Sequence, residues 1–153
     1  MAKGVPEGLH TVTPALTIDG AAEAITLYEK ALGAKVISLA PDPSGKKIWH
    51  AELSLGDSRI FVNDAFPDQG AVPVAAKLWI YCEDVDAACQ RAAGAGLKVT
   101  SPPTDMFWGD RFCALADRWG NQWILATRTK TLSPGELEKA QAEAVAAWQE
   151  GKK

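Results

Sequence analysis

Two short segments, Gly33-Ala-Lys-Val36 and Gly96-Leu-Lys-Val99, stand 63 residues apart, and the chain runs through the same order of elements around each. Before the first, apolar Val12, Pro14, Leu16 and Ile18 alternate with Thr13, Ala15 and Thr17, a period of two that reads as a half-buried strand over residues 9–18. Asp19 is placed to cap a helix over residues 21–32, and Gly33 supplies its left-handed stop. A strand over 35–40 and a turn at Pro41-Asp-Pro-Ser-Gly45 follow. Strands over 47–55 and 59–64 are joined around Gly56-Asp57.

Residues 66–74, with two prolines and a glycine, read as a linker. The order then restarts: a strand over 76–82, Asp84 as helix cap, a helix over 85–95 stopped by Gly96, and a strand over 97–100. Strands over 111–116 and 122–127 close a hairpin around Asp117-Arg-Trp-Gly-Asn121. The chain is therefore a tandem βαβββ repeat. One helix on an open four-stranded sheet cannot bury both sheet faces, so the expected fold is α+β, with two modules forming a curved mixed-sheet trough and the helices outside. The expected divisions are a first module at 10–65, the linker at 66–74 and a second module at 75–128. A C-terminal helix is expected at 132–150, opened by Ser133-Pro-Gly-Glu136 as a capping box. Its stripe of Leu137, Ala140, Ala144 and Trp148 is expected to fold back on its own domain, with docking on a partner subunit as the alternative.

Composition narrows the function. The 153 residues are 47% hydrophobic and 23% charged with a net charge of −3, which excludes wholesale disorder. No basic run exceeds two residues before the Lys152–Lys153 tail, so no nucleic-acid partner is expected. No segment approaches a membrane span and no apolar run follows Met1, so no membrane partner is expected. Cys82, Cys89 and Cys113, odd in number and without motif spacing, read as reduced thiols of a cytoplasmic protein.

With a turn at Gly56-Asp57, Ser54 opposes Arg59, Glu52 opposes Phe61 and His50 opposes Asn63. His50, Glu52, Phe61 and Asn63 then point together into the trough, while Trp49, Ala51, Leu53, Ile60 and Val62 pack under a helix. In the second repeat Leu78, Ile80 and Cys82 go under the helix, leaving Lys77, Trp79 and Tyr81 for the trough. An aromatic wall with a few convergent polar groups is what a small-molecule site requires; the plainer reading is a wet sheet face with His50 and Glu52 as an exposed pair. In Met106-Phe-Trp-Gly-Asp-Arg111, Phe107 and Trp108 can close one end, with Asp110 and Arg111 fixing the loop or gripping an anion. His10 reads as a cap or a solvated residue. Cys113 lacks a placeable histidine for a nucleophilic role, and no phosphate loop, Cys-x-x-Cys pair or nucleophile elbow is present.

The repeat, with Leu16-Thr-Ile-Asp-Gly-Ala-Ala-Glu-Ala-Ile25, Tyr28-Glu-Lys, His50-Ala-Glu-Leu-Ser-Leu-Gly-Asp-Ser58, Phe107-Trp-Gly-Asp-Arg111 and Ala116-Asp-Arg-Trp-Gly-Asn-Gln-Trp123, resembles the vicinal oxygen chelate superfamily. That superfamily includes glyoxalase I, bleomycin-resistance proteins and extradiol dioxygenases, and the resemblance is to its PhnB-like branch over about residues 10–128. It implies the βαβββ fold and a homodimer, often with sites formed across subunits, and it fixes no reaction. Members that hold a divalent ion place one His, Glu or Gln on the first and last strand of each repeat. Those places fall at about Thr13, Phe61, Lys77 and Ile124, none a usual ligand, so no metal and no cofactor are expected. What the resemblance then implies is a metal-free dimer that binds a small aromatic or planar organic molecule, in sequestration or resistance. His50, Glu52, Phe61, Asn63, Lys77, Trp79, Tyr81, Trp108, Asp110 and Arg111 are the expected ligand-binding residues. The alternatives are a glyoxalase- or dioxygenase-type enzyme with a divalent ion near His50 and Glu52, and a non-catalytic dimeric interaction module.

Overall fold

The structure is a computed structural model that describes residues 4–152. The first module contains β1 (Ala15–Ile18), α1 (Ala21–Leu32), β2 (Lys35–Pro41), β3 (Ile48–Leu55) and β4 (Ser58–Asp64). A single 3-10 turn at Pro67–Gln69 lies in the connection. The second module contains β5 (Lys77–Tyr81), α2 (Val85–Ala95), β6 (Lys98–Asp105), β7 (Asp110–Ala116) and β8 (Gln122–Arg128), and α3 (Pro134–Glu150) closes the chain. The sheets have matching orders, β1-β4-β3-β2 and β5-β8-β7-β6, with the first strand of each module parallel to its last. This is the expected tandem α+β architecture. Helices α1 and α2 each cover one face of their own sheet and leave the other face uncovered. No helix of the described residues is long and apolar enough to cross a membrane.

The repeat extends to side-chain chemistry. Asp64 on β4 accepts the Gly20 and Ala21 N–H groups at 3.1 and 3.0 Å, capping α1 from the sheet. Thr127, at the matching place on β8, accepts the Val85 N–H of α2 at 2.9 Å. Asp19, the expected cap of α1, makes no such bond: the N-cap is Gly20, and the buried Asp64 carboxylate supplies the acceptor from another strand. Asp84 does cap α2, accepting from Ala87, and the Ser133–Glu136 capping box is formed.

The covered faces merge into one core. Leu16, Ile18, Leu53, Ile60 and Val62 join Val85, Cys89, Leu115, Trp123 and Leu125 in a single buried cluster, and α1 packs directly on α2. The junction is polar at its centre. The buried Asp117 carboxylate accepts from Tyr28 Oη at 2.5 Å, Trp123 Nε1 at 3.0 Å and Asn121 Nδ2 at 3.2 Å. Its other oxygen accepts the Trp119 and Asn121 N–H groups. Burial, then the hydrogen bond to Asp117 and its charge, push the Tyr28 phenol far above its ordinary range, so it stays a donor.

Four further expectations change. Strand β6 runs on to Asp105 instead of ending at residue 100. Strand β1 begins at Ala15, and residues 9–14 form an arm whose Val12 is exposed. Trp49 does not pack under α1. Between Ala40↔His50 and Pro41↔Ile48 strand β3 carries one extra residue, so Ile48 takes the buried place and Trp49 is 49% exposed. Helix α3 does not fold back: it has no buried residue and no packing interface with another element among the described residues, and Trp148 is 61% exposed.

Candidate functional site

The uncovered face of the second sheet carries an aromatic ladder. Trp79 on β5 stacks on Phe112 of β7, with centroids 5.5 Å apart and planes 25° apart; Trp108 stacks on Phe112 at 6.1 Å and 30°. Tyr81 lies 6.4 Å from Trp79, and Phe107 meets Trp108 edge to face at 5.1 Å. The register explains the contact across a whole strand. Tyr81 pairs with Ala126 of β8, and Ala126 pairs with Phe112, so the central strand offers only a methyl between the rings of its neighbours.

Asp110 pins this ladder from below. It is 1% exposed and accepts from Tyr81 Oη at 2.9 Å, Trp108 Nε1 at 2.9 Å and Arg128 Nε at 2.5 Å. Burial alone would raise its carboxyl; the Arg128, Tyr81 and Trp108 donors outweigh that and hold it below the usual carboxylate range. Asp110 is thus committed to orienting Tyr81 and Trp108. Arg111 points to the helix side, where it grips Asp86 through two 2.9 Å bonds and Asp105 at 3.4 Å. It does not join the ladder. Of the acid–base pair expected to fix the loop or take an anion, both members are occupied by protein groups.

On the uncovered face of the first sheet, the observed ladder contains Glu52↔Phe61 and Ser54↔Arg59, as the hairpin arithmetic requires. His50 meets Phe61 edge to face at 4.7 Å, Glu52 pairs with Arg59 at 2.9 Å, and Asn63 exchanges hydrogen bonds with Thr17. The expected ligand residues therefore form two groups, one on each sheet. His50, Glu52, Phe61 and Asn63 make the first; Trp79, Tyr81, Trp108 and Asp110 make the second, with Lys77 exposed at the start of β5. Phe112, the middle ring of the ladder, was missing from the expected set. Its alternation with Asp110 along β7 would have placed it.

The four positions where a divalent ion is held in some relatives of this fold do not fit a cation. Thr13 lies in the arm before β1, Phe61 offers a ring edge to His50, Lys77 brings a positive charge, and Ile124 is buried hydrocarbon. Near His50, Glu52 is already neutralised by Arg59. The described residues hold no group of three or more His, Cys, Asp or Glu side chains placed to share a metal ion.

Comparison with known proteins places the fold in a family. The profile of the "Glyoxalase/Bleomycin resistance protein/Dioxygenase superfamily" matches residues 8–125. Uncharacterized proteins of Mycobacterium bovis and Mycobacterium tuberculosis are 34% identical over 140 residues. These alignments span 84% of this chain and 90% and 81% of those proteins. Among solved structures, TioX from Micromonospora sp. ML1 superposes with a TM-score of 0.62 at 19% identity, over 81% of this chain and all of that one. A PhnB protein from Bacillus cereus, titled a putative 3-demethylubiquinone-9 3-methyltransferase, gives 0.58 at 18% identity, over 77% and 99%.

Proposed function

Since the chain belongs to the glyoxalase/bleomycin resistance protein/dioxygenase superfamily, we propose that it is a small-molecule-binding member that takes a planar aromatic ligand without a divalent ion. The observation that carries this reading is the Trp79–Phe112–Trp108 ladder: three near-parallel rings on a sheet face that no helix covers. A planar ligand laid on it gains apolar burial plus about 0.5–1.5 kcal/mol for each well-placed ring contact. In this reading Lys77, on the same strand as Trp79, supplies a polar contact, His50, Glu52, Phe61 and Asn63 supply further polar and edge contacts from the first sheet, and Asp110 holds Trp108 and the neighbouring Tyr81 in place. Arg111 leaves the ligand-contacting set. With Trp79 and Trp108 in the ladder, titration of planar heteroaromatic compounds is expected to change tryptophan emission. Trp79→Ala and Trp108→Ala are each expected to weaken binding at least fivefold in calorimetry. Unchanged affinity in both variants would reject the stacking assignment.

The same reading takes the protein as a homodimer, and α3 carries the argument. Its stripe of Leu137, Val145 and Trp148 is exposed, and so are Val36, Ile37, Leu39 and Trp49 on and beside β2. The 17-residue helix is about 25 Å long and the seven-residue strand about 23 Å, so one spans the other. Glu138, Glu143 and Glu150 on α3 face a complement in Lys35, Lys46 and Lys47 around β2. Docking of α3 on β2 of a second copy would cover both apolar faces. Trp148→Asp is expected to shift the full-length chain to the monomer position in sedimentation. A dimer that survives this change, and also Val145→Asp, would place the interface elsewhere.

A further inference from the structure

The two ends of the module junction are related by the repeat, and one is filled while the other is open. At the filled end, the Asp117–Asn121 turn between β7 and β8 inserts Trp119 against Gly20. There its Nε1 donates to the Asp19 carbonyl at 3.0 Å and its ring meets Tyr28 at 6.5 Å. Tyr28 in turn lies 4.7 Å from the buried Trp123. At the related end, the turn between β3 and β4 is only Gly56-Asp57 and carries no ring. The helices match by burial, with Ala21, Ala24, Ile25 and Tyr28 of α1 against Val85, Ala88, Cys89 and Ala92 of α2, so Ala92 stands where Tyr28 does. On the strands, Ile60 stands where Trp123 does. Three aromatic side chains are replaced by a glycine turn, an alanine and an isoleucine. What remains is a cleft of about 500 Å³ between the arm at residues 10–14, the β3–β4 turn, β5 and α2.

The lining defines the guest. The floor is hydrocarbon: Leu32, Leu55, Ile60, Leu78, Ile80 and Leu125. The charged or titratable groups bordering it are His10, Asp57, Cys82, Arg59 and Arg91, with the Tyr81 hydroxyl already given to Asp110. Arg59 is neutralised by Glu52 at 2.9 Å. Arg91 donates Nε to the Ala31 carbonyl at 3.4 Å and pairs with no carboxylate among the described residues. Asp57, on the exposed β3–β4 turn, also has no ion-pair partner among the described residues, so selection rests on local contact and not on net charge: an apolar floor with a carboxylate-free guanidinium at its edge suits an amphipathic monoanion, because guanidinium matches a carboxylate in charge and in planar two-point geometry.

We propose that this cleft is a second ligand site, separate from the aromatic ladder, for an aryl carboxylate of one or two rings. Its ring fills the space that Trp119 and Tyr28 fill at the other end of the junction, and its carboxylate lies on Arg91. Trp79 and Tyr81 border both sites, so the test relies on Arg91, which only the cleft contains.

The probes are 2-naphthoate and its neutral analogue 2-naphthamide, titrated calorimetrically into the full-length protein. Wild type is expected to bind naphthoate saturably with one cleft site per chain, and to bind the amide at least tenfold more weakly. Arg91→Gln is expected to lose at least tenfold for naphthoate and to bind the two probes alike, with Arg91→Lys in between. Circular dichroism of each variant establishes that it is folded, and Arg91 is exposed, so the substitution leaves the core in place. Absence of saturable naphthoate binding by wild type overturns the proposal. So does equal affinity of wild type and Arg91→Gln; if Trp108→Ala then abolishes that binding, the acid sits on the ladder and the stacking reading survives alone.

Discussion

Replacing Asp117 with alanine is expected to lower stability by about 4 kcal/mol, a large share of what a domain this size holds. The carboxylate accepts five hydrogen bonds from Tyr28, Trp119, Asn121 and Trp123. Its removal leaves the Tyr28 hydroxyl and the Trp123 indole N–H buried without an acceptor, each at about 1–3 kcal/mol. It also loosens the turn that carries Trp119 and removes the polar tie between the modules. A fall in Tm of roughly 8–16 °C is the expected result in a thermal melt. Tyr28→Phe takes away one donor to Asp117 and the weak 3.4 Å acceptor of Asn121 Nδ2, which keeps its bond to Asp117, so stability is expected to fall by only about 1–2 kcal/mol. Equal losses in the two variants would mean that the tie works through Tyr28 alone.

Gly109→Ala is expected to have an effect of similar size and to reach the ladder as well. Gly109 sits at φ +99°, and a Cβ there would come 2.3 Å from the Lys130 carbonyl oxygen. The obstructing atom is backbone, so no side-chain rotation relieves the clash. The Gly109 carbonyl also accepts the Thr129 and Lys130 N–H groups at 2.8 and 3.0 Å, which seats the chain after β8 against the Phe107–Trp108 loop. Displacing that loop breaks the approach of Trp108 to Asp110 and Phe112. A loss of about 3 kcal/mol or more in denaturant unfolding is expected, with ligand affinity down at least tenfold. A variant with wild-type stability would show that the loop can move away from Lys130 freely.

Much of this molecule was legible in the residues. Periodicity and glycine stops place α1 and α2 over the observed ranges, and the Gly56-Asp57 turn sets the pairing of β3 with β4, because strand register follows from turn length. The separation of Lys77, Trp79 and Tyr81 from Leu78, Ile80 and Cys82 likewise follows from the pleat. Trp49 was misread because a single extra residue in β3 reverses the alternation beyond it, and nothing local marks that bulge. Asp19 is the local candidate for the cap of α1, yet Asp64 on β4, 44 residues from the Gly20 N-cap, does that work. The thiol of Cys113, buried and next to Cys89, is pushed up to about 12, in keeping with an inert core side chain.

The sequence by itself determined the tandem repeat, most of its elements and the rings of Trp79, Tyr81 and Trp108, though not that of Phe112, because these depend on patterns a few residues long. Only the tertiary structure decided that Asp110 is spent on orienting Tyr81 and Trp108, and that Arg111 turns to Asp86. It alone decided that one end of the junction is plugged while the other stays open, and that α3 leaves its own domain uncovered. Each of these depends on which groups meet across distant segments in space, and local periodicity carries no record of such meetings.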